Sequence, residues 1–356
     1  MSMANETMNL TEKDNTNFFI RVLKYFIPWK GDDRSEVIRK FIFMLSIVLF
    51  CFSLNQLKDF LQADEQDKSY VQDVAQNYEP DFSDDLDLSK NTGKDVDINS
   101  PQSSDKKRTI QSWAKKLIKR NSDVKGWIKI PGFKDSDGKE YINFPVLQGT
   151  DNEYYLKKNL DKEYYESGSI YADAWATINE DGQSDNITIF GHNMRYLGTS
   201  FTHLTEYKKG VEFLKKYPII EFNTIYESGS KYVIVSAFAV NIKKEQDDGK
   251  LFLYNAYRYF DNGDYKFETW LEEIKKRSWF TSNAKCTKDD KYITLSTCTN
   301  ECEDMRWVII AKKLTADDNA DEIAASYKDK ADKDVYFPKC WRDIYGNTKK
   351  YFGWDY

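Results

Sequence analysis

Residues 41–54 (FIFMLSIVLFCFSL) run for fourteen positions without a charge and are apolar on every face of a helix. A bilayer span needs about 20 residues. Counting from Val37 reaches that length once Arg39 and Lys40 extend their amphipathic side chains to the interface. Arg21, Lys24, Lys30, Arg34, Arg39 and Lys40 stand before the apolar core of the run, and Asp59, Asp64, Glu65 and Asp67 follow it. The excess of basic residues on the leading side predicts a single-pass anchor over residues 37–57, with residues 1–36 cytoplasmic and the bulk of the chain outside the cell membrane. No small-x-small cleavage pattern follows, which favours an uncleaved signal-anchor over a removed signal peptide. Residues 58–105 hold 13 acidic and four basic residues, with Asn, Ser, Gly and Pro gathered in the second half. That is the composition of an extracellular tether, although Tyr70, Val74 and Tyr78 have the spacing of a helical stripe.

At Thr109 the pattern changes. Ile110, Trp113, Ala114, Leu117 and Ile118 recur at helical spacing among lysines and arginines and predict a short amphipathic helix at the start of a folded domain, residues 106–314. Eight short alternating or β-branched runs follow, at 126–130, 141–147, 168–172, 186–190, 219–225, 231–240, 292–297 and 306–312. Turn pairs such as Pro131-Gly132, Asp137-Gly138 and Ser228-Gly229 punctuate them. The expected fold is mostly β, a closed or nearly closed mixed barrel with helical insertions, rather than a parallel α/β sheet. The clearest insertion is a helix at about 264–279, just before the penultimate strand, with Phe267, Trp270, Leu271 and Ile274 on one face. Residues 315–356 become acidic and then aromatic, and read as an appendage whose rings cover the barrel.

Composition narrows the function. Hydrophobic residues at 40% allow a sizeable core, while 31% charged residues and a mean hydropathy of -0.71 exclude a multi-pass membrane protein. Fifty-two basic against 58 acidic residues give a net charge of -6, which supplies no global field for gathering nucleic acid. Five cysteines are too few for a disulfide-built scaffold, and an odd number leaves at least one thiol free or shared between chains. The histidines are only His192 and His203. With no CxxC or HxxxH spacing, no P-loop and no GxGxxG, no metal or cofactor is expected.

The candidate chemistry gathers at strand ends. Cys298 closes the run from Tyr292, so its sulfur sits at a sheet edge, where a nucleophile can be reached. A cysteine attacks as thiolate and needs a base or cation nearby. His192 follows a glycine at the end of another β-branched run, and Arg306 enters the last strand beside the one carrying Cys298, where a fixed cation can stabilise an oxyanion. His203 reads as a surface or packing residue on a helix expected after the Gly191-His192-Asn193 segment. Cys302 has two readings, a redox pair with Cys298 or inert packing in the turn. Cys286 and Cys340 are a further candidate pair, and Cys51 lies within the anchor.

Taken together, Thr294-Leu295-Ser296-Thr297-Cys298, an arginine entering the next strand, and Gly191-His192-Asn193 upstream resemble the sortases, membrane-anchored cysteine transpeptidases of Gram-positive surfaces. Further matches are GWIKI at 126–130, FPVLQ at 144–148, DNEYYL at 151–156 and SGSIYAD at 167–173, and the likeness covers roughly residues 109–314. The serine of TLSTC, the DNxxYL segment and the two helices are most similar to class B. The resemblance implies an eight-stranded sortase-type β-barrel with an N-terminal helix and a long helix before the cysteine strand. It implies that Cys298 is the nucleophile, His192 the general acid and later base, and Arg306 the holder of the oxyanion, with Asn152, Leu156 and Ser296 near the substrate. The implied partners are surface proteins bearing an NPxTN-like or PxTG-like sorting signal, cleaved after threonine, and an amine of the peptidoglycan precursor or of a pilin as acceptor. Thr299 and Asn300 depart from the acidic residue that some members carry after the cysteine. A papain-type secreted cysteine peptidase fits less well, since here the histidine precedes the cysteine and the cysteine ends a strand. An anchored, non-catalytic adhesion or assembly module is the other alternative.

Overall fold

A computed structural model describes residues 18–80, 107–195 and 198–350. Two compact units emerge, Met1–Gln66 and Asp67–Tyr356. In the first, helix α1 (Phe18–Phe26) meets the start of helix α2 (Arg34–Tyr78) through stacked rings of Phe26 and Phe43, and Lys40 Nζ lies 2.8 Å from Asp32 Oδ2. Helix α2 contains a stretch of mean hydropathy 2.2, long and apolar enough to cross a membrane, and the side chains of Phe41, Leu45 and Val48 are exposed on it.

The second unit is built on eight strands: β1 (Val124–Lys129), β2 (Asn143–Leu147), β3 (Tyr171–Ala172), β4 (Asn186–Phe190), β5 (Ile219–Thr224), β6 (Lys231–Asn241), β7 (Tyr292–Cys298) and β8 (Met305–Lys313). They close into a barrel in the order β1-β2-β3-β4-β7-β8-β6-β5, with β5 returning to β1. The pairs β2·β3 and β4·β7 are parallel and the rest antiparallel. The alternating runs in the sequence therefore mark the barrel staves, though the run at 168–172 shortens to the two residues of β3. Central strand β8 is buried from Trp307 to Lys312, because β7 and β6 flank it on both edges and its side chains meet the core on one face and covering helices on the other.

Helix α3 (Ala114–Arg120) packs Ala114 and Leu117 over β1, and helix α4 (Val211–Lys216) precedes β5. Helix α5 (Phe267–Arg277) turns Phe267, Trp270 and Ile274 inward, which is the face its periodicity predicts. Helices α6 (Ala320–Ala325) and α7 (Lys339–Tyr345) belong to the C-terminal stretch, where Tyr327, Phe337 and Trp341 are fully buried in the main core. Each such ring removes a large apolar area from water, roughly 2–3 kcal/mol of burial apiece, so the aromatic tail is part of the fold.

The largest departure from the sequence reading is at residues 58–80. Helix α2 continues to Tyr78, and the folded unit begins at Asp67, well before residue 106. Tyr70, Val74 and Tyr78 form the stripe that their spacing allows, and they join Ala114, Leu117, Tyr155 and Leu160 in a second apolar cluster. Asp67 is buried and accepts hydrogen bonds from Ser167 Oγ (2.6 Å) and Thr199 Oγ1 (2.7 Å), while Tyr70 Oη takes the Leu160 N–H at 2.7 Å. The remainder of the expected tether, residues 81–105, lies outside the described residues.

Asp67→Ala in the full chain removes the carboxylate that accepts from both Ser167 and Thr199 and leaves their buried hydroxyls only each other, 3.3 Å apart, as partners. The expected loss is roughly 2–4 kcal/mol, read as a fall in Tm of the Asp67–Tyr356 unit. An unchanged Tm would contradict the inclusion of this helix end in the fold.

Candidate active site

The ends of β4 and β7 run side by side in the same direction, with Phe190 opposite Ser296 and the Gly191 N–H donating to Ser296 O at 3.2 Å. Two residues further along each chain come His192 and Cys298. Across the other edge of β7, Cys298 is in register with Arg306 of β8. One thiol, one imidazole and one guanidinium are thus set by the pairing of three adjacent strands. Gly191 is needed for this approach, since a Cβ there would lie 2.5 Å from Ile170 Cδ1 and 2.7 Å from Phe201 Cγ.

These three residues line an open cleft of about 440 Å³ together with Asn152, Leu156 and Ser296. Tyr171, Phe190, Leu253 and Tyr254 supply its apolar walls. All six residues singled out in the sequence are therefore brought to one place, with different local roles. His192 Nε2 lies 2.8 Å from the Leu156 carbonyl, which can only accept, so Nε2 carries hydrogen and the neutral ring has its lone pair on Nδ1. Asn193 Nδ2 donates to Cys298 O at 3.0 Å and ties the Cys298 backbone to the histidine loop. Among the described residues no carboxylate stands within salt-bridge distance of Arg306, and its one bond is Nη1 to Met305 O at 3.2 Å. Its charge is left for a ligand.

Asn152 is committed within the protein: Nδ2 donates to Asp173 Oδ1 at 2.9 Å and Oδ1 accepts the Ala174 N–H at 2.8 Å. Ser296 Oγ is buried and shares a 2.8 Å hydrogen bond with Tyr254 Oη, whose own ionisation burial pushes up. Leu156 contributes its carbonyl to His192 and its side chain to the cleft wall.

Sequence reasoning passed over the groups that brace this site. Asp173 is fully buried, paired with Arg258, and the Arg258 guanidinium lies over the exposed Trp175 ring at 5.4 Å. Lys208 is also buried: Nζ donates to both Glu301 carboxylate oxygens at 2.7 Å and to Thr299 Oγ1 at 2.8 Å, pinning the 299–304 turn between Cys298 and Arg306. Burial holds the Lys208 ammonium below the ordinary lysine range against the opposing pull of Glu301. Thr299, which departs from the family pattern, thus has a structural partner. These contacts join residues 83 or more positions apart, beyond the reach of local patterns.

His203 takes no part in the cleft. It lies in a 3₁₀ segment (Thr202–Lys209), buried and stacked on Tyr141 with ring centroids 3.7 Å apart. Burial lowers its pKa below 6.5. The unfolded chain therefore takes up a proton near pH 6.5 that the folded chain refuses until lower pH, and stability falls with acidification across that window. His203→Gln should flatten this part of the pH dependence of Tm between about pH 7.5 and about pH 5.5; an identical slope in both proteins would remove His203 as its source.

The chain was compared with known proteins. A family model described as the sortase domain matches residues 128–314. Sortase B of Listeria monocytogenes is 36% identical over 164 residues, covering 46% of this chain and 61% of that protein. Sortase B of Staphylococcus aureus is 31% identical over 162 residues, covering 44% and 59%. The chain thus spans about 60% of the length of these curated relatives. Among solved structures, a Staphylococcus aureus sortase B-substrate complex is similar with TM-score 0.49 and 29% identity, covering 58% of this chain and 87% of that one. Clostridium perfringens sortase B gives 0.45 and 29%, covering 56% and 99%. With the domain model matching just over half of its 356 residues, the chain belongs to the sortase family, and its named relatives are of class B.

Proposed function

We propose that this protein is a membrane-anchored, class B-like sortase that cleaves a C-terminal sorting signal after threonine and transfers the protein to an amine of the cell-wall peptidoglycan or of a pilin. The observation that carries the reading is the convergence of Cys298, His192 and Arg306 in one cleft, fixed by the register of three adjoining strands. Residues 37–57 would be the anchor, residues 1–36 cytoplasmic, and the sortase domain extracellular; the apolar stretch of α2 and the basic residues before it support this topology.

In the proposed cycle the Cys298 thiol passes its proton to His192, and the thiolate attacks the threonine carbonyl carbon. The oxyanion that develops is held by the uncommitted Arg306 guanidinium. His192 gives a proton to the departing amide nitrogen, the C–N bond breaks, and a thioester links threonine to Cys298. An incoming amine attacks this thioester, His192 accepts its proton and passes it to the departing sulfur, and the new amide leaves with the thiol restored. Tyr171, Phe190 and Leu253 limit water's access to the acyl group, which favours the amine over hydrolysis. Asn152, Leu156 and Ser296 are the nearest candidates for contacting the signal peptide, Asn152 chiefly by shaping the wall that Asp173 and Ala174 form.

The test is the full chain in detergent micelles with a panel of NPxTN-like and PxTG-like peptides and a small peptide amine. The reading requires products that end in threonine or carry the amine on it, and the responding peptide assigns the signal. Peptides that all remain intact beside a folded chain with an alkylatable Cys298 would favour a non-catalytic assembly module.

A further inference from the structure

Helix α7 lies on the turn that separates Cys298 from Arg306. Tyr345 Oη donates to Glu301 O at 2.9 Å, and Cys302 Sγ lies 3.9 Å from the Cys340 carbonyl. Cys340 Sγ in turn lies 3.2 Å from Met305 Sδ, at the first residue of β8. Both cysteines are free thiols in the structure, Cys302 buried and Cys340 partly accessible. Neither has a part in the proposed catalytic cycle, and the sequence offered other partners for each: Cys298 for Cys302 and Cys286 for Cys340.

We propose that Cys302 and Cys340 are a built-in disulfide site, which on oxidation staples the turn beside the nucleophile to the C-terminal extension. The pairing rests on the packing of α7 and does not depend on the transpeptidase reading. The two thiols also divide the chemistry between them. The Cys302 sulfur points at the Cys340 residue, 3.9 Å from its carbonyl, and the closeness of the two thiols raises the Cys302 pKa and lowers that of Cys340. Cys340, the more accessible thiol, is therefore the one that attacks an oxidant disulfide, of low molecular weight or on a protein. That attack forms a mixed disulfide and releases one thiol. The Cys302 thiol then loses its proton and attacks the Cys340 sulfur, releasing the second thiol, so the oxidant gains two electrons and two protons and the chain gains one S–S bond. The closed loop, residues 302–340, takes in all of β8 and helix α6. It gives the aromatic tail a mechanical task, holding the 299–304 turn in addition to the buried Lys208.

The experiment uses the full chain with Cys298→Ala, in detergent micelles, equilibrated with oxidised and reduced glutathione, alkylated and mapped by mass. The expected result is a Cys302–Cys340 linked peptide lighter by about 2 Da, alkylated Cys51 and Cys286, and a Tm higher by roughly 5 °C than in the reduced sample. Cys340→Ser should abolish both changes, and Cys302→Ser should stop at glutathione on Cys340. Unlinked Cys302 at full oxidation, a Cys298–Cys302 bond dominating when Cys298 is restored, or a lower Tm in the linked form would each overturn the proposal.

Discussion

Cys298→Ala is expected to abolish turnover of any sorting-signal peptide, by about 10⁴-fold or more, because no other group in the cleft can form the acyl-enzyme. The same substitution should leave Tm within about 2 °C of the parent. Cys298 sits half-buried at the end of β7, and its backbone contacts, the register with Arg306 and the bond from Asn193 to its carbonyl, do not use the sulfur. Activity by steady-state product formation and stability by thermal unfolding separate the two effects. Turnover retained by the alanine protein would place the chemistry elsewhere, whereas joint loss of activity and Tm would make Cys298 a packing residue first.

Arg306→Ala is expected to lower kcat/KM by about 10²–10³-fold, the scale of losing a group that meets developing negative charge. Because Arg306 has no carboxylate partner among the described residues, its removal leaves no orphaned anion, and the fold should tolerate it. Arg306→Lys keeps the charge but not the planar fork and should recover little of the rate. If the alanine protein keeps kcat/KM within a few-fold, the oxyanion is held by another group. If lysine restores the full rate, the role is simple charge rather than directed hydrogen bonding.

How far the sequence carried this account depends on the range of the contacts. The barrel strands were visible because alternating or continuous β-branched runs are a property of neighbours, and such runs lead up to Cys298 in β7 and away from Arg306 in β8. The cleft was visible because TLSTC, the arginine entering the next strand and GHN upstream together resemble a family's words, each at the end or start of a readable strand. The bracing was not visible. Nothing near Lys208 in the sequence signals a buried ammonium, since its partner Glu301 lies 93 positions away, and Asp173 meets Arg258 only when the barrel closes. The end of α2 misled for a related reason. Its acidic composition is that of a tether, yet Tyr70 and Val74 find an apolar surface supplied by residues after 113, and only the fold brings that surface to them.

A connected picture follows for the site's mechanics. The turn after Cys298 is held by Lys208 on one side and by Tyr345 of α7 on another. The histidine loop is fastened at Asn193 to the cysteine strand and, through Thr199, to Asp67 at the start of the folded unit. Each tie removes a freedom that would otherwise separate imidazole, thiol and guanidinium, and preorganisation of this kind is what a cysteine nucleophile and an oxyanion holder require.

The most direct test of the central claim is intact-mass spectrometry of the full chain quenched in acid during turnover of a responding peptide, with hydroxylamine added to a second aliquot. The account predicts a mass increase equal to the peptide through its threonine, located on Cys298, lost on hydroxylamine treatment and absent in Cys298→Ala. Cleavage of the peptide with no adduct on Cys298, or an adduct on another residue, would contradict it.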